Sequence, residues 1–195
     1  MIKKHAISKN FYKIIGDGLS PILIYRKDSN KKYNLNDLST KILVYEDRVK
    51  GWFLDIGKEL KKNNEAGFVI LMICASYIEG VVQFKLGKSS KGQSAKVFVD
   101  YVKSLFKVHE TVARAIYEDM RCGLFHDGMS RRRIAISGEL KYPVMIDINR
   151  KTIGINPHLF LQKLNKDFND YIKNLKNKRN KKLRSNFSKI TNSNL

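Results

Sequence analysis

Arg121 and His126 stand five positions apart in the run Arg121-Cys122-Gly123-Leu124-Phe125-His126-Asp127-Gly128 of a 195-residue sequence. Together these two side chains suit chemistry at phosphorus. A guanidinium is a planar fork of donors that stays charged and grips phosphate oxygens, whereas an imidazole takes or gives a proton near neutral pH. In metal-free cleavage of RNA, His126 would draw the proton from a ribose 2′-hydroxyl. Arg121 would then stabilise the charge gathering on a phosphorane-like transition state. The alternative is structural: Arg121 in a surface ion pair and His126 as a C-capping side chain, with Gly123 and Gly128 ending the helix. On an unbroken α-helix the two residues would point about 140° apart, so a shared cleft requires Gly123 to tighten or end the helix.

Glu79 is the third catalytic candidate. It lies inside the apolar run from Phe68 to Phe84, where a carboxylate is costly unless paired, and the cheapest partner is Arg121 or His126 on a packed neighbour. A helix edge where Glu79 reaches water is the other possibility. Arg131, Arg132 and Arg133 follow the motif directly and are candidates to hold substrate phosphates, or else form an ordinary exposed charge run. Lys88 is a further candidate substrate contact. Gly87-Lys88-Ser89 mimics the end of a phosphate-binding loop, but position 82, where that motif needs its first glycine, is Val82, and a helix precedes it.

These residues need elements to position them. Ile42, Tyr45, Val49, Trp52, Ile56 and Leu60 recur at steps of three and four and mark one face of a first helix. The Phe68 to Phe84 run gives a second, apolar nearly all round and so buried on most sides, stopping near Gly87. After a polar loop with Ser94 as a candidate N-cap, Val97 to Phe106 gives a third helix and Val112 to Leu124 a fourth, which the motif ends. Beyond it, Ile134-Ala135-Ile136, Val144 to Ile148 and Thr152 to Ile155 are β-like, with a hairpin turn at Asn149-Arg150-Lys151. Asn156-Pro157 starts a fifth helix that continues through Leu175. Residues 1–40 form an N-terminal arm over the core, with one β-like run at Pro21 to Tyr25.

Composition narrows the function. The formal net charge is +20, from 38 Lys and Arg against 18 Asp and Glu, and such a field gathers polyanions: nucleic acid first, or an acidic partner protein. Residues 176–195 form a basic tail, either a solvated segment that frays by self-repulsion or a polyanion-binding arm. Cys74 and Cys122 belong to no zinc or disulfide pattern, so neither a metal nor another cofactor is expected and the compartment is reducing and cytoplasmic. The apolar run reaches about 17 residues, short of the roughly 20 that a membrane helix needs, so no membrane partner is expected.

The block from Tyr117 to Gly128 resembles the R-x4-6-H signature of HEPN domains, and the order of helices around it agrees over roughly residues 40–175. The resemblance implies a mainly α fold: a HEPN-like helical bundle over 41–175, with a small β-hairpin or meander at 134–155 inserted between the motif helix and the C-terminal helix. It also implies a homodimer with facing motifs and a metal-independent endoribonuclease, leaving a 2′,3′-cyclic phosphate, of the kind found in toxin–antitoxin, defence or RNA-processing systems. Other members are non-catalytic RNA- or protein-binding modules. Cys122 stands where active members often carry Asn.

Overall fold

The computed structural model describes residues 3–15, 22–25 and 28–194. The chain is mainly helical with two small sheets.

Asp37 opens the helical part by accepting the Thr40 N–H at 3.0 Å, so capping α1 (Leu38–Val49). The helix runs on through a π-helical turn, Lys50–Leu54, into α2 (Asp55–Leu60). That turn corrects the expected apolar face. Ile42 and Tyr45 are buried, but Trp52 and Ile56 are each 45% exposed, and Leu54 and Gly57 are buried instead. A wider turn holds an extra residue and rotates everything after it by about 100° from the α-helical register.

The central helix is α3 (Gly67–Leu86), ended by Gly87 at φ 69. It buries Ile70, Leu71, Cys74, Ile78 and Val81 against α4 (Ser94–Phe106) and α6 (Pro157–Lys176). Burial on most sides was expected, yet one face is open. Phe68 and Val69 are 40% and 47% exposed, and no atom lies within 4 Å of where a Gly80 Cβ would sit. With the turn before it, the helical stretch Asn64–Leu86 is 23 residues, longer than the sequence suggested. By length and composition alone it could cross a membrane, and 44% of its most apolar window is buried in this fold. Asp167 on α6 ties the three helices together, its Oδ2 accepting from Lys85 Nζ at 2.6 Å, Tyr101 at 2.5 Å and Tyr77 at 3.4 Å. Burial pushes both tyrosine hydroxyls far up, so they remain donors. Ser94 does not cap α4: its hydroxyl donates to the Ser90 carbonyl.

Past the motif, β5 (Ile134–Ile136), β6 (Val144–Asp147) and β7 (Thr152–Ile155) form a sheet of order β5-β7-β6. The expected hairpin is β6 and β7, registered from Val144↔Ile155 to Asp147↔Thr152, while β5 pairs parallel to β7. Asn156 joins this sheet to α6. Its Oδ1 accepts the N–H groups of His158 and Leu159 at 2.9 and 3.1 Å, and its Nδ2 donates to the carbonyls of Gly138 and Leu140 at 2.8 Å each. Asn156→Ala should therefore destabilise the protein by roughly 2–4 kcal/mol, combining a lost cap with buried groups left unpaired. Urea unfolding measures this, with a loss below about 1 kcal/mol contradicting the double role.

Two terminal segments differ from expectation. The N-terminal arm is a four-stranded antiparallel sheet, β1 (Lys3–Ala6), β2 (Phe11–Ile15), β3 (Ile22–Tyr25) and β4 (Asp28–Tyr33), in that order. Phe11 and Leu23 pack on Val44 of α1 in a small core of their own. These strands are only four to six residues long, too short for an alternating pattern to stand out in the sequence. Pro21, at the start of the expected β-like run, lies outside the described residues. The basic tail is helical over Lys181–Asn194 (α7) and packs on α3. Phe187 is fully buried, its ring 5.2 Å from Tyr45 and 5.5 Å from Phe84.

Candidate active site

The motif sits on a helix whose winding changes. His109 accepts the Thr111 N–H to start α5 (Glu110–Ala115). From there the helix opens into π-helical turns over Ile116–Arg121 and Gly123–Asp127, and the Cys122 N–H bonds to the Tyr117 carbonyl five residues back. In an α-helix, residues five apart diverge by about 140°. In a π-helix, positions i and i+5 are close to one turn apart. The wider winding sets Arg121 and His126 closer to one side of the helix than an α-helical register would, and it does so by widening, not by Gly123 tightening or ending the helix. The helix ends at Gly128, φ 72.

Gly123 has a different task. A Cβ there would lie 2.5 Å from the Met129 carbonyl oxygen and 3.2 Å from the Arg131 nitrogen, so only glycine lets the returning chain lie against the helix. That chain delivers the Arg131 N–H to the Asp119 carbonyl at 2.8 Å, an outside partner for a π-helical carbonyl.

The Arg121 guanidinium is held by two parallel bonds, Nε to Glu79 Oε1 at 2.7 Å and Nη2 to Glu79 Oε2 at 3.1 Å. This is the pairing expected for a carboxylate on an apolar helix. The rings of Phe125 and Tyr117 flank the guanidinium, with centroids 5.0 and 5.8 Å away. The hydrogen bond to Glu79 pushes Arg121 further up, so it stays charged. Of its five N–H donors, Glu79 takes two and the Cys122 thiol lies against the guanidinium as well, so the remaining donors are those that can face a phosphate. His126 is exposed, and among the described residues its ring makes no hydrogen bond. Cys122 is half-buried and lies against the Tyr117 hydroxyl, which burial first and then this thiol push up.

The three arginines after the motif divide their roles. Arg131 Nε donates to Asp127 Oδ2 at 2.5 Å, and that bond holds the Asp127 carboxyl below its ordinary range. Arg133 pairs with Asp119, and with Glu118 at 2.9 Å. Both fasten the returning chain to the motif helix. Arg132 is exposed and makes no ion pair among the described residues, and it lines a cavity of about 580 Å³ with Asp119, Asp127 and Ser130. Lys88 is not brought to the motif. It lies beyond the end of α3, lining a separate cavity of about 390 Å³ with Lys85, Gln93 and Tyr101.

Sequence reasoning missed the aromatic walls and the Asp119–Arg133 clasp. The walls had a signal, because Tyr117 and Phe125 sit four residues to either side of Arg121. The clasp had none, since its partners are 14 residues apart across a turn. No protein-family model, curated protein or solved structure matches this chain.

Proposed function

We propose that this protein is a HEPN-type endoribonuclease that cleaves RNA without a metal, by attack of the ribose 2′-hydroxyl, giving a 2′,3′-cyclic phosphate and a 5′-hydroxyl. The observation that carries this assignment is the π-helical winding, which brings the five-residue spacing of Arg121 and His126 closer to one side of the motif helix than α-helical winding would. His126 takes the 2′-hydroxyl proton, and the free N–H groups of Arg121 receive the charge developing on the phosphoryl oxygens. Glu79 acts through Arg121, aiming its fork, and so is a positioning residue. RNA is the substrate and the cytoplasm the setting, as the net charge and the unpaired cysteines suggest. A toxin or defence component with an acidic antitoxin or regulatory partner is the matching biology.

The leaving 5′-oxygen needs a proton donor, and each chain has a single Arg121/His126 pair. A second copy supplies the other. Its seat is the open face of α3, where Phe68, Val69, Met72, Ser76 and Gly80 fall along one stripe next to Glu79 by the 100° rule. Exposed Phe53 and Phe125 flank that face. A two-fold dimer there covers apolar surface and brings both motifs to one groove. The second assignment is a non-catalytic RNA- or protein-binding module of the same fold. Cys122 in place of Asn and the hold of Glu79 on the Arg121 fork favour it.

Incubating the purified protein with mixed RNA in EDTA separates the two: cutting supports the enzyme, and binding without cutting supports the module. Within the enzyme, Arg132→Ala should raise the KM for RNA on the order of tenfold, the worth of one charge-assisted phosphate contact, and spare the fold. Arg133→Ala should instead lower thermal stability, because it undoes the clasp to Asp119 and Glu118. Equal KM effects with no stability difference would contradict this division of roles.

A further inference from the structure

We propose that α7 and the turn leading into it form a second RNA-binding surface, an exosite that grips the phosphate backbone away from the cleaved bond. It rests on the ribonuclease assignment for the identity of its ligand.

Charge is the first support. From Lys173 to Leu195 there is no acidic residue. Lys178, Arg179, Lys181, Lys182 and Lys189 are exposed, and among the described residues their side chains make no ion pair. Elsewhere the basic side chains are often matched, as in Lys176 with Glu46, Lys96 with Asp100 and Lys166 with Asp170. The field along α7 is therefore uncompensated, and a polyanion that neutralises it gains released counterions.

Rigidity is the second. Phe187 anchors α7, Arg184 Nη1 donates to the Leu175 carbonyl at 2.6 Å, and Asn186 Nδ2 donates to the Lys85 carbonyl at 2.9 Å. The cations are thus presented on a fixed helix, which lowers the cost of ordering them on a ligand. Gly87 brings one more. A Cβ there would meet the Asn186 Cα at 2.7 Å, so the α3 terminus touches α7 and Lys88, the next residue, stands beside it. Lys88 belongs to this surface, not to the motif.

The outward residues of α7 select the ligand. Leu183, Phe187 and Ile190 turn inward, while Lys181, Lys182, Ser185 and Lys189 are exposed. A protein partner calls for an apolar core to its interface, and a base platform calls for aromatic side chains. This face offers neither. It offers cations for phosphates, which position a strand and do not read its sequence. Since α7 meets α3 eight residues beyond Glu79, the point where α7 joins that helix lies about 12 Å along it from the Glu79–Arg121 pair.

The test uses the full chain and a 2′-O-methylated RNA hairpin, which lacks the attacking hydroxyl and cannot be cut. With Lys178, Lys181, Lys182 and Lys189 all changed to Gln, the slope of log affinity against log salt should fall by about 3, at 0.7–0.9 per lost phosphate contact. With ordinary RNA the loss should appear in KM and not in kcat. Should the fourfold variant misfold by circular dichroism, the double variants Lys178→Gln/Lys181→Gln and Lys182→Gln/Lys189→Gln should each remove about half of that change. An unchanged slope in folded variants overturns the exosite. Polyglutamate displacing the hairpin as well as RNA of equal charge would overturn RNA as its ligand in favour of an acidic protein. A wild type that cuts nothing counts against the catalytic assignment, and the salt slope still decides the exosite.

Discussion

Replacing Arg121 or His126 with alanine should lower the rate of RNA cleavage by about 10²-fold or more, the usual worth of transition-state charge stabilisation or of a general base. Neither change should unfold the protein. The Arg121 side chain is 20% exposed and its partner Glu79 28%, so water reaches the carboxylate left behind, while His126 is exposed already. Arg121→Lys should be nearly as damaging as alanine, because an ammonium keeps the charge but cannot make two parallel bonds to Glu79 and still present donors to a phosphate. Glu79→Gln should cost less, roughly tenfold, since the amide oxygen still accepts from the guanidinium. Mixing Arg121→Ala with His126→Ala chains and letting subunits exchange should restore activity if one site draws on both copies. Full activity in either single variant would remove the pair from the chemistry.

Phe187→Ala should destabilise the fold by about 3–5 kcal/mol, the range for truncating a fully buried aromatic ring. The ring fills the space between Tyr45 of α1 and Phe84 of α3, and without it α7 loses its anchor to the bundle. Lys181→Ala and Lys182→Ala, six and five residues before it on the exposed face, should change stability by less than about 0.5 kcal/mol. Denaturant unfolding of the three variants makes the comparison. A Phe187→Ala loss as small as that of the lysine variants would mean that α7 is held by something other than this ring.

That contrast shows where the sequence was legible. Helices α4 and α6 follow from apolar residues at three- and four-residue steps, because each buries one continuous face, and α3 follows from its long apolar run. In α7 the same signal is present, at Leu183, Phe187 and Ile190, but it is diluted by a block of like charges that reads as a fraying tail. Trp52 and Ile56 were misplaced for a different reason: a template of 3.6 residues per turn has no term for the π-helical turn at Lys50–Leu54. The same limit hid how Arg121 and His126 come closer to one side. Glu79 was readable as the partner of the motif, since a carboxylate in an apolar helix demands one. Arg131 and Arg133 were not separable from Arg132 by sequence, because their acidic partners are reached only when the chain folds back across Gly123.

Attack by the 2′-hydroxyl is the central step of the proposed cleavage. Once a cleavage site has been mapped, an RNA carrying a single 2′-deoxyribose on the 5′ side of that bond is incubated with the wild-type protein in EDTA, beside the all-ribose RNA. The all-ribose RNA should be cut to an upstream fragment ending in a 2′,3′-cyclic phosphate and a downstream fragment with a 5′-hydroxyl, and the deoxy substitution should abolish cutting at that bond alone. Unchanged cutting of the deoxy-substituted bond, or products ending in a 3′-hydroxyl and a 5′-phosphate, would contradict it.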